Sequence, residues 1–225
     1  MRKLKHSTAF VISLTILLLP FKTITPSAGA MNRFDTYDEP DVIYHKLELD
    51  DYGLSIEAYD AATEGYSTLV TAGKANRSDI ISIADFSQPS SAKRLYIIDI
   101  RNHKLLFHTW VAHGKNTGEL YAKKFSNIPE SNQSSPGFYV TGETYTGKHG
   151  LSLQLHGLEP GVNDKALERA IVIHGADYVS EDFIRNTGRL GRSLGCPAVS
   201  NELAGPVIES IKGGTLFFVY HPGNH

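Results

Sequence analysis

Cysteine is almost absent. The 225 residues contain one, Cys196, so no intramolecular disulfide can form and the fold must rest on its apolar core. Closely spaced metal ligands are few as well. No His-x-His occurs among the ten histidines, the one His-x-x-x-His pair is His221 and His225, His149 and His156 are seven apart, and Cys196 has no second thiol beside it. A single such pair falls short of the usual zinc ligand sets, and no metal or other cofactor is expected. There is no P-loop or dinucleotide fingerprint, since Gly114-Lys115-Asn116-Thr117-Gly118 is too short to be one. Nor is any apolar run long enough to cross a bilayer, which takes ~20 residues; Thr8 to Leu19 falls short and stops at Pro20.

The start of the chain reads as an export signal. Arg2, Lys3 and Lys5 precede the apolar run, and Ala28-Gly29-Ala30 fits a small-x-small cleavage site. Cleavage after Ala30 is predicted, with an exported protein in the periplasm or cell envelope and no membrane anchor afterwards. The absence of a cysteine near that site excludes a lipoprotein anchor. Four of the 22 basic residues and none of the 24 acidic ones lie in residues 1–30, which leaves the mature chain near −6. Such a charge argues against nucleic acid or anionic lipid as the main partner.

Residues 41–72 show helical periodicity, with Ile56, Tyr59, Ala62, Tyr66, Leu69 and Val70 on one stripe, Ser55 placed to cap and Gly73 to end it. The pattern then changes to β. Leu95–Ile100 and Leu105–Ala112 flank a polar turn as a hairpin, and further strands follow in GFYVTGETY, LSLQLHGL, AIVIHG and TLFFVY. One helix is expected in SNELAGPVIESIKGG, closed by its double glycine. The expected fold class is α+β, mainly β. Residues 31–79 form a small helical N-terminal segment and residues 80–225 the main domain.

The chemistry concentrates around Cys196. A lone thiol in an exported chain is either a buried small hydrophobe or a nucleophile, and composition does not decide between them. Its neighbours favour chemistry. His174 ends a strand and can serve as a base. Gly191, Gly195 and Pro197 shape a tight loop whose N–H groups can converge on an oxyanion, and Arg192 and Ser193 add donors for a carboxylate or amide ligand. Contact between Cys196 and His174 would lower the thiol pKa and raise that of the imidazole.

These residues resemble the L,D-transpeptidase (YkuD-like) catalytic domain of cell-wall enzymes. The resemblance is closest to the branch whose signature reads Gly-Arg-Ser-x-Gly-Cys-Pro-Ala, here Gly191 to Ala198. RLYIIDI, LLFHTWVAHGKNTG, FSN, SSPGFYVTGETYTGKHGLSL and AIVIHGADYVS fit the same branch, from about Ile80 to Tyr220. The resemblance implies a mainly β sandwich in which Cys196 attacks a peptide carbonyl and His174 is its base. The carbonyl oxygen of Gly175 would hold the imidazole tautomer, and the N–H groups of Gly195 and Cys196 would form the oxyanion hole. Arg192 and Ser193 would serve the substrate and the loop. It also implies acyl transfer on peptidoglycan stem peptides, with L,D-carboxypeptidase activity of the same site as an alternative. Leu194 and Ala198 depart from the better-known branch, which has histidine and a polar residue there. The order His before Cys excludes papain-like and NlpC-like peptidases, and no arginine follows Cys196 as a sortase requires. A non-enzymatic wall-binding module with an inert thiol is the remaining rival.

Overall fold

Three neighbouring strands, β1 (Ile80–Asp85), β2 (Leu95–Asp99) and β8 (Leu216–Tyr220), are buried almost throughout, so both of their faces must be covered. Alternation divides the side chains cleanly. Ile80, Ala84, Leu95, Ile97, Phe217 and Val219 enter one core, and Ile81, Ile83, Tyr96, Ile98, Leu216 and Phe218 enter the other. The computed structural model describes residues 40–223; the predicted signal peptide and residues 31–39 lie outside them. No helix among the described residues is long and apolar enough to cross a membrane.

The remaining strands are β3 (Lys104–Thr109), β4 (Gly137–Gly147), β5 (Gly150–Gly157), β6 (Val172–Gly175) and β7 (Ala198–Val199). All belong to one sheet, in the order β3-β2-β1-β8-β4-β5-β6-β7. The sheet nearly closes on itself. Beyond β3 the chain continues to Ala112, which bridges Ala198 of β7, and Gly114 bridges Ser193. The two edges therefore meet beside the loop that carries Cys196. The expected mainly β, α+β class is present as this one curved sheet with few helices.

Helix α4 (Asn201–Ile211) packs Val207, Ile208 and Ile211 into the first core, where Leu153, Leu155 and Ile173 complete it. Helices α1 (Pro40–Lys46) and α2 (Ile56–Thr71) cover the other face, with Tyr59, Ala62 and Tyr66 buried against β1 and β8. The periodicity predicted one helical stretch; the structure breaks it at residues 47–55, where Glu48 and Gly53 take positive φ of 51° and 82°. Ser55 caps α2 as expected, its Oγ accepting from Ala58 N–H. Strand β1, the seven-residue helix α3 (Glu181–Thr187) and the short β7 were not anticipated. β1 reads Ile-Ile-Ser-Ile-Ala-Asp, apolar on both faces without clean alternation, which reads weakly as a strand.

Gly65 on α2 lies against the sheet so closely that an added Cβ would stand 2.2 Å from the ring of Phe138. That ring stacks on Phe218 at 4.2 Å and cannot retreat cheaply. Alanine is the better helix former by ~1 kcal/mol, yet Gly65→Ala is expected to destabilise by about 1–3 kcal/mol through overpacking. Urea unfolding checks this; a stabilised variant would show that α2 does not dock here.

Candidate active site

His174 sits on β6, opposite Ser152 of β5 and beside Ala198 of β7, and is 3% exposed. Its Nδ1 lies 2.8 Å from the carbonyl oxygen of Gly175. A carbonyl only accepts, so Nδ1 carries the proton and Nε2 keeps its lone pair, the tautomer a base requires. Gly175 leaves no room for a side chain, because a Cβ would stand 2.5 Å from Asn201 Oδ1 at the start of α4.

Cys196 lies two residues before Ala198, alongside Val172. Its Sγ receives the N–H of Val172 at 3.5 Å and faces the carbonyl of Ala170 at 3.6 Å. Among the described residues no hydrogen bond joins Sγ to His174. The electrostatics follow. Burial pushes the Cys196 thiol above its ordinary value, with Val172 N–H, Arg169 and Lys148 opposing. Burial lowers His174, with the Gly175 carbonyl opposing and His149 and Lys148 lowering it further. These directions are the reverse of those expected for a thiolate–imidazolium pair in contact. The thiol hydrogen-bonds backbone instead, so no ion-pair attraction offsets desolvation, and the resting pair is neutral.

The loop donors are also placed differently from expectation. Gly195 N–H, expected in the oxyanion hole, donates to Ser193 Oγ at 3.0 Å. Ser193 Oγ in turn donates to the carbonyl of Cys196 at 2.6 Å, so this hydroxyl is spent on its own turn rather than offered to a ligand. Cys196 N–H is turned to its own sulfur, where it favours the thiolate. Arg192, expected to meet substrate, is drawn to Glu119 at 2.6 Å and to the carbonyls of Lys115 and Gly118. Gly195 has φ 130°, and a Cβ there would be 2.9 Å from the carbonyl oxygen of Gln133, so the turn needs glycine.

Residues that sequence reasoning missed hold this loop. Arg94 is fully buried, donates to Gln88 and Val111 carbonyls, and lies over the Phe86 ring at 4.6 Å. Burial pulls its pKa down to about 9, with the Asp85 charge opposing. Arg94 Nη2 also donates to Nδ1 of His113 at 2.8 Å. Since a guanidinium cannot accept, His113 Nε2 carries the proton and donates to Gly118 O. The His113 carbonyl then accepts Ser193 N–H at 3.0 Å. From the other side Ser134 Oγ takes Gly114 N–H and donates to Gly195 O. Arg169 donates to the carbonyls of Ser126 and Gln133 and to Ser135 Oγ. His149, at the turn between β4 and β5, stacks on His174. The strings AHGKNTG and TGKHG carried the only signal for His113 and His149.

Residues 50–220 match a sequence model of the L,D-transpeptidase catalytic domain. No curated protein matches the chain. Solved structures similar to it include an L,D-transpeptidase from Mycobacterium smegmatis, at 11% identity and TM-score 0.40 over 64% of this chain and 59% of that one. Another is the helical cell shape determining protein Pgp2 from Campylobacter jejuni, at 16% identity and TM-score 0.40 over 63% of this chain and 47% of that one. A third is an L,D-transpeptidase (Yku) from Stackebrandtia nassauensis, at 16% identity and TM-score 0.38 over 67% and 60%. The chain thus spans about half to three fifths of the length of these proteins.

Two outcomes are expected. Burial and Arg94 hold the His113 pKa at about 4, against ~6.5 in an unfolded chain. The unfolded state therefore binds more protons between these values, and stability falls as pH drops through that window, by roughly 3 kcal/mol at the extreme. Urea unfolding at pH 7 and 4.5 should show the loss, and His113→Gln should reduce it. Separately, alkylation of Cys196 by iodoacetamide should have its pH midpoint above that of an ordinary thiol. Arg169→Gln should move it higher, since the guanidinium favours the thiolate; a midpoint below the ordinary value would contradict the neutral resting thiol.

Proposed function

Because the chain belongs to the L,D-transpeptidase catalytic domain family, we propose that it performs acyl transfer on peptidoglycan stem peptides with Cys196 as nucleophile and His174 as base. The observation that carries this reading is the pairing of β6 with β7. It sets Cys196, the only thiol of the chain, alongside Val172, two residues from His174, whose Nδ1 is held by Gly175 and whose Nε2 keeps its lone pair.

The reaction starts from the neutral pair. Rotation about the Cys196 Cα–Cβ bond takes Sγ from Ala170 O towards His174 Nε2. Nε2 accepts the thiol proton as sulfur attacks the carbonyl of the diamino acid that precedes D-alanine. The developing oxyanion meets Cys196 N–H. Collapse of the intermediate expels D-alanine, whose amine takes the proton from His174, and leaves a thioester. A stem-peptide amine or water then attacks, His174 accepting its proton, and the thiol is restored. Amine attack is transpeptidation and water attack is the L,D-carboxypeptidase outcome.

Arg192 is the loop's brace to Glu119, so the charge that suits an acidic peptide lies elsewhere. Lys148 faces the thiol, and a solvent-open cavity of about 410 Å³ beside Arg192 is lined by Lys115, Lys123 and Lys124. We assign residues 1–30 to an export signal, 31–79 to a helical N-terminal segment whose described part, α1 and α2, covers the sheet, and 80–225 to the catalytic domain, acting in the periplasm or cell envelope.

The test incubates the mature protein with tetrapeptide muropeptides and identifies products by mass. Release of D-alanine with cross-linked or tripeptide products is expected. Cys196→Ala should abolish it, and His174→Ala should reduce turnover by ~10²-fold or more. A folded wild type that binds muropeptides yet releases no D-alanine would instead establish the wall-binding reading, which the raised thiol pKa also suits.

A further inference from the structure

A base held by one hydrogen bond is poorly oriented. The contact from His174 Nδ1 to Gly175 O anchors one edge of the ring, while its plane can still swing about that edge. His149 supplies a second contact. Its ring stacks on that of His174 with centroids 4.4 Å apart and planes 27° from parallel.

The topology explains how an exposed residue reaches a buried one. β4 and β5 pair up to Gly147 and Gly150, which leaves Lys148 and His149 as a two-residue turn. Neither takes positive φ, whereas Gly150 does, at 74°; this is a turn closed by a glycine bulge, which sets the direction of the tip. Ser152 of β5 lies opposite His174, so the strand running back from it carries Gly150 and then His149 past the imidazole. The outer half of the hairpin, residues 143–150, is otherwise exposed. His149 is thus the contact by which this arm touches the site.

We propose that His149 is a positioning residue of the active site: its ring covers one face of His174 and holds the base in plane with the Gly175 carbonyl, Nε2 uncommitted. This rests on the reading of His174 as the base. The groups facing His174 are Lys148 and His149 from the hairpin, the Gly175 carbonyl from its own strand and the neutral Cys196 from the loop before β7, with Arg169 beyond the thiol. No carboxylate contributes among the described residues. The tip therefore has a second effect, since its cover and its cation both favour the neutral imidazole that accepts a proton.

The test compares wild type, His149→Ala and His149→Phe. The first readout is an NMR titration of His174, which needs no substrate. The second is the pH profile of D-alanine release. In wild type the acid limb of kcat/KM should lie below the ordinary imidazole value of ~6.5. His149→Ala should move both the NMR titration and the limb up towards that value and lower plateau kcat about tenfold, the scale on which a misoriented group loses rate. His149→Phe, which keeps a stacked ring, should restore most of the plateau. The proposal is overturned if His149→Ala keeps the wild-type plateau and limb. It is equally overturned if that variant only loses stability while its limb stays in place. If wild type releases no D-alanine but the His174 titration moves as described, the stack stands and the acyl-transfer reading fails.

Discussion

The site depends on a closure. Ala112 and Gly114, beyond the end of β3, bridge Ala198 and Ser193 and so join one edge of the sheet to the other. The joint is clamped from below by a buried cation: Arg94 binds the carbonyls of Gln88 and Val111 and the imidazole of His113, and the His113 carbonyl receives Ser193 N–H. Burying a guanidinium is costly unless its donors are satisfied. Here four are used, the Phe86 ring lies on its face, and Asp85 supplies the opposing charge. The loop from Gly191 to Pro197 hangs from this clamp.

Ala198 shows what closure demands. It is fully buried, faces Ala112 across one edge and pairs with His174 across the other. Its side chain leaves the sheet into a small apolar cluster with Ala112, Ala176, Val179 and Leu190, where a long polar side chain would be buried without room or partners. Its smallness is thus a packing requirement of this chain. Leu194, the other departure, is 60% exposed and carries no part of the joint.

The resting electrostatics follow from the same burial. The strands that bring His174 and Cys196 together also remove water from both, which disfavours charge on each. Val172 N–H, Arg169 and Lys148 pull the thiol the other way without offsetting burial. A neutral pair makes the thiol a modest target for oxidants, and in the proposed acyl transfer it places the proton transfer within the chemical step rather than ahead of it.

Much was legible in the chain itself. Alternation in LSLQLHGL, the helical stripe ending at Val70, the capping role of Ser55 and the string from Gly191 to Ala198 identify the mainly β class, several elements and the family, because periodicity and local backbone demands are properties of neighbouring residues. What Arg192, Ser193 and Gly195 bind is not such a property. Arg192 and Gly195 were expected to face a ligand, and each meets a nearer partner, Glu119 and Ser193 Oγ; Ser193, offered as a ligand donor and as a support of the loop, bonds the Cys196 carbonyl and supports the loop. β1 was missed because a strand buried on both faces loses its alternation. Arg94, His113, Arg169 and His149 were invisible as a group because they act across contacts between distant segments. Sequence determined which chemistry the chain can carry; tertiary structure decided which donors remain free for it, since a hydrogen-bonding group serves whichever partner folding brings closest.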